Sequence, residues 1–395
     1  MAAFELGRIP RILFGAGRIT QLPDLLKEYG SHILLVTGAR SFRESSAYAE
    51  LMADLAKQGL TSDEALVTGE PNPELVDQTV NRFKEGGITA VVGIGGGSVM
   101  DAAKAIAGLL PTGNSVMDHL EGVGRGLPYT GTPLPMIAVP TTAGTGSETT
   151  KNAVLSRHGP DGFKRSFRHE RLVPAVALVD PMLMWDCPQP QTAAAGLDAL
   201  TQLLESYVTK RSSVMTRALA GDAIFRVARA LPIACEGGYD EPVQQARSDM
   251  AYGAMISGIT LAHAGLGAVH GLASPLGAFF PIPHGVVCGT LVAEVTAANI
   301  RALEQRAPES DALTHYTEIA RPLTGVRDDP VQARLALVEW LRELVDSLAM
   351  PRLGAFGMTL DDVDRVLAHC RGGSMTGNPI ELEDDELRRV LTDRL

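Results

Sequence analysis

Asp198, Gln202 and Glu205 in AGLDALTQLLESY share one face of a helical stretch, because residues four apart are neighbours and residues seven apart lie two turns on. Farther along, GAVHGLASPLGAFFPIPHG carries His270 and His284, separated by a Gly/Pro-rich bend that can bring both imidazoles together. One carboxylate and two histidines make a minimal divalent-metal site. Taken singly, each histidine reads equally as a hydrogen-bonded, half-buried side chain. Asp198 is harder to dismiss, since a carboxylate among apolar neighbours costs several kcal/mol unless it is paired or metal-bound. Glu205 reads as a solvated or capping side chain, and the part of His263 in TLAHAGLG stays open.

Two small-residue loops suggest a second kind of chemistry. GIGGGSVMDAAK (93–104) follows a strand pattern and opens a helix, where free N–H groups and the positive end of the dipole favour a phosphate. Gly95, Gly96 and Gly97 allow close backbone approach, and Ser98 with Asp101 resembles a capping pair. The alternative is a tight turn with no ligand. The usual GxGxxG fingerprint is absent, because Ser98 stands where its third glycine would fall. PTTAGTGSETT (140–150) follows the strand PMIAV and offers hydroxyls and amides suited to ribose or pyrophosphate, or else forms a plain polar turn. Together the two loops favour a nucleotide site. At the end of the second strand pattern VTGARSF has Gly38 and Arg40 in place of the acidic residue that binds a ribose 2′-OH, which favours NADP(H) over NAD(H).

The elements that must position these residues alternate up to about residue 180: HILLVTG, AVVGIGGGS and PMIAVPTT interleave with helical patterns, as parallel strands joined by crossover helices do. After VALVDP (176–181) the chain turns helical, as in TAAAGLDALTQLLESYVT and DPVQARLALVEWLRELVDSL. The expected architecture is an α/β dinucleotide-binding domain over 1–183 and an all-α domain over 184–395 that carries metal and substrate. SRHGPDGFKRSFRHE (156–170) reads as a polar hairpin loop at the junction.

The 395-residue length suits two domains, and 35 Lys+Arg against 46 Asp+Glu give a net charge of −11, which disfavours nucleic acid and anionic membranes. MAAFELGRIPRILFG lacks the layout of a secretory signal, and no stretch reaches the ~18–20 apolar residues of a membrane span, so a cytoplasmic protein is expected. Cys187, Cys235, Cys288 and Cys370 stand far apart with no CxxC pair, and they read as reduced, mostly core residues.

RILFGAGRITQLP, EPNP (70–73), GGGSVMDAAKA, PTTAGTGSE, GLDAL, GAVHGLASPLGAFFPIPHG and NPIELEDDEL run almost end to end and resemble the iron-containing (group III) alcohol dehydrogenase family, including its glycerol-dehydrogenase relatives. The resemblance implies an NAD(P)-linked interconversion of a small alcohol and its aldehyde or ketone in an interdomain cleft with Fe²⁺ or Zn²⁺, and a homodimer or larger assembly. It implies Asp198, His270 and His284 as metal ligands, and Gly95, Gly96, Gly97, Ser98, Asp101, Asn72, Thr141, Thr142, Ser147 and Lys164 as cofactor contacts. Gln202 stands where the iron enzymes have a fourth ligand, a histidine, and a neutral amide is a poorer ligand. Weaker Fe²⁺ retention, a zinc site or a partly empty site is therefore expected. Ser274 replaces a histidine thought to relay the alcohol proton, leaving solvent, ribose hydroxyls or His263 for that step, and Leu261 replaces a frequent pocket aromatic. Two other readings share the scaffold: a carbocycle-forming lyase similar to the dehydroquinate synthases, and a metal-free nucleotide-binding descendant.

Overall fold

A computed structural model describes residues 3–159 and 162–395. Its strands are β1 (Arg11–Phe14), β2 (His32–Gly38), β3 (Thr61–Val67), β4 (Ala90–Gly95), β5 (Met136–Pro140), β6 (Asn152–Arg157), β7 (Phe163–Arg168) and β8 (Val176–Val179). Six of them form one parallel sheet in the order β1-β8-β5-β4-β2-β3. Helices α1 (Leu22–Lys27) and α2 (Ser46–Lys57) pack on one face, through Leu22, Leu26, Leu51 and Leu55. Helices α3 (Pro73–Phe83) and α4 (Gly97–Leu109) cover the other, through Val76, Phe83, Met100 and Ile106. Burial on both faces explains why β4 reads as a continuous apolar run and not as an alternation.

The EPNP motif is a helix start. Asn72 caps α3 by accepting the Leu75 N–H at 2.8 Å, and Pro73 takes the first turn, where its missing N–H costs nothing. Strand order reverses between β2 and β4, the neighbours on either side of the point where the chain changes direction across the sheet. A crevice at the carboxyl ends of such strands is where open α/β sheets bind ligands. Gly38 ends β2 and Gly95 ends β4, so both glycine-bearing segments open onto that crevice.

The second half is helical: α5 (Gln189–Val208), α6 (Val214–Glu236), α7 (Glu241–Ala264), α8 (Ala268–Phe279), α9 (His284–Arg306), α10 (Asp311–Thr324), α11 (Pro330–Ser347), α12 (Val363–His369) and α13 (Asp384–Thr392). The sheet's last strand stops at Val179 and the first long helix begins at Gln189. The α/β domain followed by a helical domain is thus the observed fold. Helix α9 is long and apolar enough to cross a membrane by length and hydropathy, but 94% of that window is buried inside the protein, so it is the central helix of a core.

Three local expectations need correction. Residues 163–168 are not loop but strand β7, paired antiparallel with β6; Phe163, Arg165 and Phe167 share one face and Lys164, Ser166 and Arg168 the other, and Phe167 is fully buried. Ser98 and Asp101 do not form a cap: Gly96 is the N-cap of α4, and the Asp101 carboxylate accepts the Ser147 hydroxyl at 2.6 Å. Glu205 is not solvated: it is 7% exposed inside the helical domain, where its carboxylate accepts the Val269 N–H in the first turn of α8.

Candidate active site

Helix α5 carries Asp198 inward, the first turn of α8 carries His270, and α9 opens on His284 with Cys288 one turn later on the same face. Their ligand atoms lie within 4.8 Å of one another. The His270 Nε2 is 3.3 Å from Asp198 Oδ1, and His284 Nε2 is 3.8 Å from that same oxygen. The Cys288 Sγ is 3.6 Å from His270 Nε2 and 3.8 Å from His284 Nε2. The bend at 280–283 turns α9 back against α8, which brings the two imidazoles together with ring centroids 5.4 Å apart.

Glu205, two turns after Asp198 on α5, sets the orientation of His270. One of its oxygens accepts the Val269 N–H at 2.7 Å and the other accepts from His270 Nδ1 at 2.7 Å. With Nδ1 donating, the Nε2 lone pair of a neutral His270 faces the Asp198 carboxylate, and two lone pairs in that position require a proton or a cation between them. A carboxylate behind a ligating histidine is the usual outer-shell support of a metal site. The cluster's residues therefore fit a divalent cation on their own chemistry. Sequence reasoning missed both supports: Glu205 looked solvated, and Cys288 looked like core filler although it lies four residues after His284.

Electrostatics agree with that reading. Burial pushes the Asp198 carboxyl up, but the neighbouring His284 and His270 imidazoles and a hydrogen bond from Gln202 outweigh it and hold the group below its ordinary range. Burial, helped by Lys164 and His270, pushes His284 down to about 4, leaving a neutral imidazole at neutral pH. His270 is held above its ordinary value despite burial by its interactions with Cys288 and Glu205 and its hydrogen bond to Asp198, while burial pushes the Cys288 thiol up to about 12, so that a bound cation would have to displace its proton. The side chain of His284 is 28% exposed while that of Asp198 is 2%, so His284 marks the open side of the cluster.

Gln202 turns its carboxamide oxygen to the Ser257 hydroxyl, 2.8 Å away. Lys164 on β7 donates to Glu70 at 2.7 Å and lies close enough to depress His284, which brings the hairpin to the cluster. The Ser274 hydroxyl donates to the Lys164 carbonyl at 3.2 Å. His263 is not part of the group: its Nδ1 bonds the Ile259 carbonyl oxygen at 2.7 Å, and its Nε2 lies beside Gly7.

The glycine loop and the 140–150 loop pack on each other at the crevice. A Cβ at Gly97 would stand 2.7 Å from Thr145, and one at Gly96 3.2 Å from Thr142. The Val99 N–H bonds back to the Gly96 carbonyl at 3.0 Å, which leaves the Gly97 and Ser98 N–H groups to open α4 at the carboxyl end of β4. Thr37 Oγ1, buried just before Gly38, has no partner among the described residues. Hydroxyl, free amides and a helix N-terminus at a switch point fit a dinucleotide. Arg40 is exposed beyond Gly38.

Beneath these loops lies a buried charged group. Lys104 is 1% exposed and donates to the Ser147 carbonyl and to Thr150 Oγ1, both at 2.9 Å, with Asp101 at 3.4 Å. Burial lowers Lys104, raises Asp101, and raises Glu148 from 4.5 to about 7. Between those two values the folded chain holds a proton that the unfolded chain has lost, so stability falls as pH rises through that window. Glu148→Gln is expected to remove that fall, on the order of 3 kcal/mol for a fully buried group. Denaturant melts of both proteins at matched pH values check it, and parallel pH profiles would refute it.

The N-terminal profile of the iron-containing alcohol dehydrogenases matches residues 10–181, and the profile of that family's C-terminal region matches residues 192–395. Alcohol dehydrogenase 4 of Schizosaccharomyces pombe is 32% identical over 385 residues, covering 96% of this chain and 86% of its own. Among solved structures, an archaeal alcohol dehydrogenase from a Red Sea brine pool superposes with a TM-score of 0.89 at 26% identity, covering 100% of this chain and 99% of its own. The sulfoacetaldehyde reductase of Bifidobacterium kashiwanohense, solved with NAD⁺, superposes with a TM-score of 0.84 at 28% identity and covers the same shares. Sequence over both halves and structure over the whole length agree: the chain belongs to the iron-containing alcohol dehydrogenase family.

Proposed function

We propose that the protein interconverts a small alcohol and its aldehyde or ketone, using a nicotinamide dinucleotide bound in the β2/β4 crevice and a divalent cation held by Asp198, His270 and His284. As a family member the chain is an oxidoreductase acting on CH–OH groups. The observation that carries the reading is the convergence of those three ligand atoms beside the hairpin that carries Lys164. When bound, the cation supplies Lewis acidity toward the substrate oxygen and the nicotinamide supplies or accepts hydride.

The chain's own residues prepare the site. Asp198 stays ionised and His284 neutral, the forms that donate lone pairs. Glu205 fixes the His270 ring so that Nε2 faces Asp198. Burial of Asp198 and His270 keeps water from that side, and the partly exposed edge of His284 leaves the approach for a small substrate. The amides opening α4 hold the pyrophosphate, with Thr141 and Thr142 on the facing loop. Lys164, anchored by Glu70, sets a positive charge beside the approach. The Ser274 hydroxyl donates its hydrogen bond to the Lys164 carbonyl, which leaves the alcohol proton to solvent or cofactor hydroxyls. We also propose that the enzyme acts as a homo-oligomer, as the family resemblance suggests.

Without an acidic residue at the end of β2, the site suits NADP(H). A Cβ at Gly38 would meet only Val99 Cγ2, at 4.0 Å, so a side chain can start there without a clash at its first carbon. Gly38→Asp is expected to raise the KM for NADPH by at least ~10-fold, with NADH affected less, by placing a carboxylate against the 2′-phosphate. Steady-state oxidation of NADPH and NADH with a panel of aldehydes and ketones tests both statements. Net, stoichiometric cofactor consumption supports the dehydrogenase reading; binding without net consumption would sink it. Equal loss for both cofactors in the variant would remove the NADP(H) preference.

A further inference from the structure

We propose that Cys288 is itself a metal ligand, its sulfur taking the place that Gln202 leaves, so that the centre comprises one carboxylate oxygen, two imidazole nitrogens and one thiolate. The inference rests on the metal-centre reading above and deepens it.

A fully buried cysteine is most often a small apolar filler. Cys288 differs in what its sulfur faces. The Sγ stands 3.6 Å from His270 Nε2 and 3.8 Å from His284 Nε2, the same two nitrogens that approach Asp198 Oδ1 at 3.3 and 3.8 Å. Ligands held about 2.0–2.3 Å from a common centre in a tetrahedron lie about 3.3–3.8 Å from one another, so these separations are those of donors around one ion. A thiol–imidazole hydrogen bond spans similar sulfur–nitrogen distances, so what marks an ion site is the convergence of all four donor atoms within 4.8 Å of one another. Position agrees with distance, because Cys288 follows His284 by one turn of α9 and both present their donor atoms to the same point.

Gln202 cannot compete for that place without giving up its own bonds. Its carboxamide oxygen accepts the Ser257 hydroxyl at 2.8 Å, and its side chain also hydrogen-bonds Asp198. Gln202 therefore positions Asp198, while the fourth donor comes from a different helix. A thiolate softens the donor set, and a softer set retains Zn²⁺ better than Fe²⁺. The fold of the family is kept while the metal preference moves.

The test strips the protein with a chelator and reloads it with Co²⁺, which reports sulfur ligation directly. The wild-type protein is expected to bind Co²⁺ stoichiometrically and show an intense near-ultraviolet sulfur-to-cobalt charge-transfer band. Cys288→Ser is expected to lose the band, to bind Co²⁺ at least ~10-fold more weakly, and to show a narrower preference for Zn²⁺ in competition with Fe²⁺. Stoichiometric Co²⁺ with no such band in the wild-type protein overturns Cys288 as ligand and leaves the metal centre standing. Failure to bind Co²⁺ at all overturns both. The decisive spectrum is that of the wild-type protein, so it does not depend on how the variant folds.

Discussion

Asp198→Ala is expected to lower kcat/KM by about 10³-fold or more, since Lewis-acid stabilisation of a developing charge is worth several kcal/mol and each 1.36 kcal/mol is tenfold in rate. The residue sits at the meeting point of the cluster: its Oδ1 faces both His270 and His284, and it takes a hydrogen bond from Gln202. Removing the carboxylate takes away the oxygen that faces both imidazoles and with it one of the two negative charges the centre offers a dication, leaving two imidazoles and the Cys288 sulfur. The variant should therefore also lose bound metal, which a kinetic defect alone would not show. Asp198→Asn separates charge from shape, because it keeps the volume and a carbonyl oxygen; it should lose metal nearly as completely. Turnover and metal content close to wild type in both variants would contradict the assignment.

The second large effect lies away from the chemistry. Gly146, in the left-handed conformation at φ 60°, brings the 140–150 loop against α7 of the other domain. A Cβ on Gly258 would fall 2.0 Å from the Gly146 carbonyl oxygen and 2.3 Å from Thr149 Oγ1. Thr149 Oγ1 lies 3.2 Å from the Met255 carbonyl of the same helix, which binds loop and helix together. Because the obstacle is backbone, it cannot swing aside as a flexible side chain would. Gly258→Ala is expected to cost about 3 kcal/mol. A fall in melting temperature of about 4 °C should follow for a chain of this length. A raised KM for the nicotinamide cofactor should accompany it, since the displaced loop packs against Gly96 and Gly97. An unchanged melting temperature would show that the loop and helix separate freely.

Much of this was legible in the chain, for definite reasons. The two architectures differ in period, so strand runs such as HILLVTG and helices such as DPVQARLALVEW declare themselves. Asp198 was conspicuous because a carboxylate in an apolar helical stretch demands a partner, and two histidines after it offered one. Cys288 was not conspicuous, because a thiol carries no charge in the sequence and is at home in a core. Glu205 was misread because helical spacing places it on the Asp198 face without saying whether that face is wet or dry. The β7 strand was hidden by its Lys and Arg residues, which hairpin strands with one exposed face tolerate. The contact of Gly146 with Gly258 joins segments far apart in the chain, and nothing local to either predicts it.

The measurement that bears most directly on a metal-assisted hydride transfer is elemental analysis of the purified protein, paired with NADPH and NADH oxidation against a carbonyl panel before and after chelation. The account predicts close to one divalent metal per chain, Zn²⁺ before Fe²⁺, and turnover that disappears with the metal and returns when it is restored. Undiminished turnover by protein shown to be metal-free would contradict it.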